Sequence, residues 1–414
     1  MSIDVITEPE AVGLSSERLA HIPEFYRQNY LETRDLPCMA LLVARHGEVA
    51  HFSLNGVKDW DTGEPITADT IYRIYSMTKP VTSVAAMMCF EEGLLRLEHP
   101  VSRYIPSFKR LKVWDGGTKD DPRLVDPYRE MTVRDLFTHT SGLTYDFLGA
   151  HPVEQYYLEK QVIRANHSLA DMCELLADIP LLFSPGDRWN YSVSIDVLGH
   201  LVEVVSGMSL DEFFRTRIFE PLGMVDTGFT IPADKLDRFA SCYQRNPLSG
   251  EISLQEKGDQ SSVYCREGKE PQRLFSGGGG LVSTMSDYLR FCRMLADGGE
   301  LEGARLLSPK TIEYMMRNHL PGGKTMSGMG DKMFSESNMD GNGFGLGGAV
   351  VVDEIAMNQP CSAGTFSWGG LASTFFWIDP AEDMIAIQMT QMIPSSSYPI
   401  RPQFQQLAYA SVIE

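Results

Sequence analysis

A serine and a lysine three residues apart carry the strongest chemical signal in the chain. Ser76 and Lys79 lie in the segment RIYSMTKP, residues 73–80, where a strand-like stretch meets the start of a helical one. On a helix the two side chains share one face, so the lysine can act as base for the serine hydroxyl. A lysine serves as a base only when neutral, which burial and nearby cations promote. The unpaired N–H groups of a helix start can face a developing oxyanion, so the pattern favours a serine nucleophile.

The SxxK spacing alone is weak evidence, because about one or two chance matches are expected in a chain of this length. Here it occurs once, and a series of further motifs follows it. In order, these are LFTHTSGL at 136–143, SPGDRWNYS at 184–192, PLGM at 221–224, GGGGLVST at 277–284 and WGG at 368–370. This ordered set resembles the class C β-lactamase and penicillin-binding-protein superfamily, and most of all its family VIII carboxylesterases. The resemblance runs from about residue 12 to residue 410.

The resemblance implies a catalytic role for each matched residue. Ser76 corresponds to the family's nucleophile and Lys79 to its general base. Tyr191, which begins the segment YSV, corresponds to the tyrosine that relays a proton to the leaving group. The backbone N–H groups of Ser76 and Leu371 would then form the oxyanion hole, in which each donor is typically worth about 3–4 kcal/mol.

Two departures from the β-lactamase pattern bear on the substrate. Trp368, Gly369 and Gly370 stand where β-lactamases have the KTG triad that holds the lactam carboxylate. An indole replaces a cation there, and we find no substitute cation in the WGG segment or next to Tyr191. We therefore expect anionic substrates to lose their anchor and apolar groups to gain a wall at Trp368. Val193 takes the third position of the family's YxN element and lacks the amide that supports the lysine.

Several functions stay open at this point. The leading one is a serine carboxylesterase that acts on short- to medium-chain, uncharged esters. A β-lactamase or D-alanyl peptidase would need export and the missing KTG lysine. An acyltransferase would use the same triad with an alcohol or amine in place of water, and a non-enzymatic ligand-binding sensor would be acylated without turnover. No GxSxG pentapeptide occurs in the chain, which excludes the α/β-hydrolase motif.

Composition narrows the class of protein further. The chain has 414 residues and a formal net charge of −19, so nucleic-acid or membrane-surface binding is not expected. Residues 1–17 have no signal-peptide pattern, and no apolar run of about 18 residues occurs, so we expect a cytoplasmic protein without a membrane span. Seven scattered cysteines and nine histidines show no metal-ligand spacing, so no disulfide framework, metal or cofactor is predicted. The partner expected is a small-molecule ester, and the oligomeric state stays open.

The chain predicts strands near both ends and helices between them. The predicted helices are 15–30, 76–97 and 401–413, and the predicted strands are 38–44, 49–54, 344–352, 364–378 and 384–392. The first two strands read as a hairpin in which Gly47 supplies a positive φ. The last three read as an antiparallel meander. Residues 321–343, rich in Gly, Met, Ser and Asp, read as a long surface loop.

These elements predict an α/β (α+β) fold with an antiparallel sheet flanked by helices. Residues 1–98 and 226–414 would form a discontinuous sheet domain, and residues 99–225 a mainly helical domain inserted into it. The cleft between the two is the expected place for the active site.

Three weaker candidates have a mainly structural interpretation. His139 is interpreted as a structural histidine in a turn, because Lys79 and Tyr191 already fill the base and acid roles. Residues 277–280, GGGG, lack the GK[ST] that a phosphate loop needs and are interpreted as a close-packed bend. Tyr145 is a candidate for the wall of the acyl pocket.

Overall fold

The computed structural model describes residues 3, 6–148, 151–164, 166–330 and 336–414. Its α-helices are α1 Ser16–Tyr26, α2 Thr78–Glu91, α3 Val133–Phe137, α4 Pro152–Lys160, α5 Leu169–Leu176, α6 Ser194–Ser206, α7 Leu210–Phe214, α8 Glu220–Leu222, α9 Met285–Ala296, α10 Pro309–Met315, α11 Glu354–Met357 and α12 Ile400–Ala410. Within the described ranges, no helix is both long enough and apolar enough to cross a membrane.

The strands of the described ranges are mostly short and are spread over both ends of the chain. They are β1 Cys38–Arg45, β2 Glu48–Gly56, β3 Tyr72–Arg73, β4 Val113–Gly117, β5 Pro122–Val125, β6 Cys242–Arg245, β7 Ile252–Glu256, β8 Val282–Ser283, β9 Glu300–Leu301, β10 Ala304–Arg305, β11 Asn342–Phe344, β12 Ala349–Val351, β13 Phe366–Gly369, β14 Phe375–Asp379, β15 Met384–Met389 and β16 Met392–Ile393.

A seven-stranded sheet combines strands from the two ends of the chain. Its strand order is β11-β12-β13-β14-β15-β1-β2, and every neighbouring pair is antiparallel. The predicted antiparallel sheet flanked by helices is therefore confirmed. The boundaries proposed for a sheet domain and an inserted helical domain stay a prediction.

Helices cover both faces of this sheet, which explains why β1 is apolar throughout. All eight residues of β1 are buried. Because strand side chains alternate between faces, Met39, Leu41 and Val43 pack into the core formed with α1 and α12. Ala40 and Leu42 point the other way, into the core that contains α2 and α9. The first strand thus contributes side chains to both cores, and helix α2, which follows Ser76, belongs to the second.

The C-terminal strands follow the predicted order, but the structure contains more of them than predicted. The stretch 364–378 forms β13 and β14, which are joined by a turn in which Ser373 has a φ of 67°. The stretch 344–352 likewise divides into β11 and β12. A strand covered on both faces has no polar alternation, so the apolar pattern does not show where a turn interrupts it. The antiparallel meander itself is confirmed.

The N-terminal predictions hold with one change. Gly47 has a φ of 76° in the β1–β2 turn, as predicted. Helix α2 ends at Glu91 rather than at residue 97, because Gly93 takes a left-handed φ of 75° and closes the helix. As a result Leu94, which lies within the predicted helix, is exposed, and the next residue, Leu95, is buried.

The middle of the chain contains α3 to α8 and the β4–β5 hairpin, and α6 packs against α2. The segment 321–343 is not a surface loop throughout, since Met326, Glu336 and Met339 are buried. Residues 331–335 of that segment lie outside the described residues. The buried part of this segment closes one side of the site described next.

Candidate active site

The nucleophile candidate lies in a strained turn at the start of α2. Ser76 is the middle residue of a 3-10 turn, Tyr75–Met77, that runs directly into α2. Tyr75 has a φ of 41°, a conformation that typically costs about 1–3 kcal/mol in a residue other than glycine. In this arrangement Ser76 Oγ lies 3.2 Å from Nζ of Lys79, which is in the first turn of α2. The structure therefore brings the SxxK pair together as the spacing predicted.

Lys79 is fully buried and hydrogen-bonded. Its Nζ donates to the Gly278 carbonyl at 2.6 Å and to the Tyr145 hydroxyl at 3.1 Å. Burial lowers the pKa of Lys79 to about 8, although the carboxylates of Asp196 and Glu336 partly oppose this shift. A substantial neutral fraction of this lysine therefore exists near neutral pH, as a general base requires.

Tyr191 completes the cluster from the segment before α6. Its ring centroid lies 4.5 Å from Lys79 Nζ, and the side chain is buried. Burial raises the pKa of Tyr191 well above its ordinary value, while hydrogen bonds with Ser76 and Trp368 act in the opposite direction. The resting hydroxyl is therefore protonated at neutral pH, which suits a proton donor better than a phenolate base.

An aromatic cluster holds Tyr191 in place. Its ring packs against His139 at 4.8 Å, Trp368 at 5.5 Å and Tyr145 at 5.4 Å between centroids. His139 is buried, and its Nδ1 lies 3.1 Å from Ser192 Oγ. These contacts agree with the structural interpretation of His139.

The end of β13 packs closely against Ile74, which lies two residues before Ser76. The Gly370 N–H donates to the Thr374 carbonyl, and a Cβ at Gly370 would collide with the Ile74 carbonyl oxygen. Leu371 follows and lines the same cavity as Ser76. Among the described residues, the Leu371 N–H donates no hydrogen bond to another backbone group. This arrangement fits the oxyanion-hole role implied for Leu371, with the Ser76 N–H at the helix start as second donor.

The expected role of the WGG segment as a substrate wall is wrong for Trp368. The indole is completely buried behind Tyr191 and packs on Phe344 at 5.2 Å between ring centroids. Neither Trp368 nor the glycines Gly369 and Gly370 belong to the described cavity wall. Trp368 instead packs against the ring of Tyr191.

A cation does reach the WGG segment, contrary to expectation, from the last helix. Arg401 of α12 lies so close to Gly369 that a Cβ there would collide with the guanidinium. Its guanidinium donates to the Gly370 and Thr374 carbonyls at 2.6 and 2.9 Å. It also pairs with the buried carboxylate of Glu336 at 2.9 Å. The charge is therefore compensated, and a substrate carboxylate gains no free cation at this position.

Ser76 and Tyr191 line a mainly apolar cavity of about 360 Å³. Its apolar and aromatic wall consists of Tyr75, Tyr145, Phe147, Ile163, Tyr191, Val263, Tyr264, Leu274 and Leu371. The prediction that Tyr145 lines the pocket is confirmed, and its hydrogen bond to Lys79 was not foreseen. In the part of the chain that the structure describes, no group of three or more His, Cys, Asp or Glu side chains is placed to hold a metal ion.

Asp196 and Gly278 are site residues that the sequence did not single out. The Asp196 carboxylate accepts a hydrogen bond from the Gly278 N–H at 3.0 Å and one from the Ser276 hydroxyl. A Cβ at Gly278 would collide with this carboxylate. The close-packed bend predicted for 277–280 is thus confirmed, and it also presents a carbonyl to Lys79. The sequence signal that pointed to this bend was the run of four glycines at 277–280, which lacks the GK[ST] of a phosphate loop.

This fold and this site define a serine hydrolase of the β-lactamase type. The chain belongs to the beta-lactamase family, whose model matches residues 26–410. It is 31% identical to esterase EstB of Burkholderia gladioli over 92% of this chain and 93% of EstB. It is 36% identical to protein Rv1367c of Mycobacterium tuberculosis over 83% of this chain and 82% of that protein.

A solved structure gives the same result. EstCE1, described as a hydrolase with promiscuous acyltransferase activity, superposes with a TM-score of 0.79 at 27% identity. The match covers 95% of this chain and 99% of EstCE1. The protein is accordingly an ester-processing enzyme of this family.

Proposed function

We propose that the chain is a serine carboxylesterase. It hydrolyses short- to medium-chain esters that are uncharged around the ester bond, through an acyl-Ser76 intermediate. The observation that carries this proposal is the contact of Ser76, Lys79 and Tyr191 beside an aromatic cavity. The cation nearest the WGG segment, Arg401, lies outside the described cavity wall and is already paired with Glu336.

The contacts support the following course of acylation. Ser76 Oγ attacks the ester carbonyl carbon and passes its proton to neutral Lys79. The oxyanion that forms is stabilised by the N–H groups of Ser76 and Leu371. When the carbon–oxygen bond breaks, Tyr191 protonates the leaving alkoxide and is reprotonated from Lys79. The products of this half-reaction are an alcohol and the acyl enzyme.

Deacylation uses the same groups in reverse. Water attacks the acyl carbon, its proton passes through Tyr191 to Lys79, and Ser76 leaves with a proton. An alcohol in place of water would give acyl transfer, the second candidate function. It is favoured by the likeness to EstCE1, a hydrolase with promiscuous acyltransferase activity.

The charge arrangement supports uncharged esters over β-lactams. A β-lactam brings a carboxylate into the cleft, and an unpaired buried charge is costly. Because Glu336 already neutralises Arg401, that carboxylate finds no free partner beside Gly369. An uncharged ester has no such penalty, and its alkyl group gains about 25 cal/mol per Å² on the aromatic wall.

Steady-state kinetics on p-nitrophenyl butyrate and nitrocefin test the proposal. We expect kcat/KM for the ester to exceed that for nitrocefin by several orders of magnitude. Ser76→Ala should abolish turnover without unfolding the protein, and Tyr191→Phe should lower kcat roughly 10²–10⁴-fold. A fluorophosphonate adduct should map to Ser76 by mass spectrometry.

Comparable kcat/KM values for the two substrates would refute the ester preference, and an adduct on another serine would refute the assigned nucleophile. Product analysis in the presence of butanol separates the two candidates. Free acid as the main product supports hydrolysis, and butyl ester as the main product supports acyl transfer.

A further inference from the structure

One basic residue, Arg266, lies in the described wall of the catalytic cavity. Its side chain is partly buried, and its Nε is buried without a hydrogen-bond partner. Among the described residues it forms no ion pair, although acidic residues outnumber basic ones by 55 to 36 in the chain. Burying part of a guanidinium without an anion costs free energy, so this position is suited to an anion that arrives with the substrate.

The other charges that line the cavity are already compensated. Glu336 pairs with Arg401, and Asp196 accepts hydrogen bonds from Ser276 and Gly278. An incoming anion therefore has Arg266 as its available partner among the described lining residues. An incoming cation has no equally available carboxylate.

Arg266 also lies where the catalytic cavity meets a second one of about 440 Å³. In the described part of the chain, Arg266 and Gln272 are the two residues that line both. The other basic residues of the second cavity are paired, Arg215 with Glu220 and Lys235 with Asp226. A carboxylate of that wall, Asp211, forms no ion pair with Arg266. The unpaired cation thus lies at the junction of the two cavities.

We propose that Arg266 binds a carboxylate carried by the substrate at the end remote from the ester bond. The preferred substrates are then esters that are uncharged around the reacting carbonyl and acidic at the far end, such as half-esters of medium-chain dicarboxylic acids. The planar guanidinium can accept a carboxylate through two parallel N–H···O hydrogen bonds. This proposal rests on ester hydrolysis at Ser76 and adds a second recognition point to it.

The experiment compares matched esters with and without the remote charge. On the acyl side, mono-p-nitrophenyl adipate and suberate are compared with p-nitrophenyl hexanoate and octanoate. On the alcohol side, 4-carboxyphenyl butyrate is compared with the butyrate ester of methyl 4-hydroxybenzoate. In one of the two series, Arg266→Met should lower kcat/KM for the acidic ester roughly 10- to 100-fold. The neutral ester of that series should change by no more than about twofold, and Arg266→Lys should retain part of the preference.

Lys109→Met is the matched control, because Lys109 is exposed and lies outside the described cavity wall. It removes the same charge and should leave both kcat/KM values unchanged. Equal losses for acidic and neutral esters in both series would overturn the proposal, and so would unchanged ratios in both. If wild-type protein hydrolyses neither the acidic nor the neutral esters, the proposed function itself has failed, and this outcome is distinct from the other two.

Discussion

At the scale of single residues, the working state of the site depends on the protonation of Lys79. Burial lowers the pKa of Lys79 to about 8, and the carboxylates of Asp196 and Glu336 hold it from falling further. In the proposed mechanism the neutral amine is the base, so kcat/KM for an uncharged ester should rise as the pH increases through about 8. Burial and the two opposing carboxylates together therefore set the pH range over which Lys79 is neutral.

Asp196→Asn should move the acid limb of the kcat/KM profile to lower pH. The substitution removes a negative charge that stabilises protonated Lys79, so the pKa of Lys79 should fall and more neutral amine should exist at a given pH. The asparagine carbonyl can still accept the hydrogen bond from the Gly278 N–H, so the bend keeps its partner. The measurement is kcat/KM for p-nitrophenyl butyrate between pH 5 and 10.

Asp234→Asn is the control for this prediction, since Asp234 is exposed. Its profile should coincide with that of the wild type. An acid limb that stays in place in Asp196→Asn, with activity otherwise intact, would show that Asp196 does not act on the base. A shift to higher pH would contradict the assigned sign of the interaction.

At the scale of elements, the site is a meeting point of three local structures. The 3-10 turn and the start of α2 that follows it supply Ser76 and Lys79, helix α6 supplies Asp196, and the bend 277–280 supplies the Gly278 carbonyl. Each of these elements is positioned by its own local contacts. The tight approach of bend and helix requires a residue without a side chain at position 278.

Gly278→Ala should therefore damage catalysis more than folding. Its Cβ would collide with the Asp196 carboxylate, and the bend would have to shift the carbonyl that accepts from Lys79. A displacement of about 1 Å at a positioning group can lower the rate roughly 10²-fold, so we expect a fall in kcat of that order. Kinetics and circular dichroism on the same sample provide the check.

Gly228→Ala is the matched glycine control. A Cβ there would meet no atom closer than 3.6 Å, and its φ is not left-handed. Near-wild-type kcat is expected for this variant. Full activity in Gly278→Ala would mean that the bend does not position Lys79.

At the scale of the whole molecule, the fold leaves its thiols unpaired and mostly buried. All seven cysteines are free, six of them are buried, and Cys361 is partly exposed. Burial raises the pKa of Cys38 to about 12 and that of Cys361 to about 11. Since the thiolate is the reactive form, both burial and pKa disfavour reaction in the native state.

We expect the native protein to react with about one equivalent of Ellman's reagent and the denatured protein with seven. Cys361→Ser should remove the native reaction, and a reducing agent should leave Tm unchanged because no disulfide is broken. Rapid modification of several thiols in the native protein would contradict this packing of the core.

The sequence by itself determined the parts of the site that follow from local spacing. Ser76 and Lys79 are one helical turn apart, so their meeting needs only the helix that their own segment forms. Tyr191 was identified from the order of the motifs rather than from geometry. The sheet built from both ends of the chain was likewise predicted, on the premise that the helical region is inserted between the two sets of strands.

Only the tertiary structure decided which charges meet and which side chains face the substrate. Arg401 reaches Gly369 and Glu336 from the last helix, and Arg266 remains unpaired in a cavity wall that widely separated segments build. Trp368 is fully buried against Tyr191, so a substrate cannot contact it. The physical reason is that hydrophobic periodicity reports which face of an element is buried. Periodicity does not show which group pairs with a buried charge or whether an aromatic ring lines a cavity. Both depend on the packing of elements that are distant in the sequence.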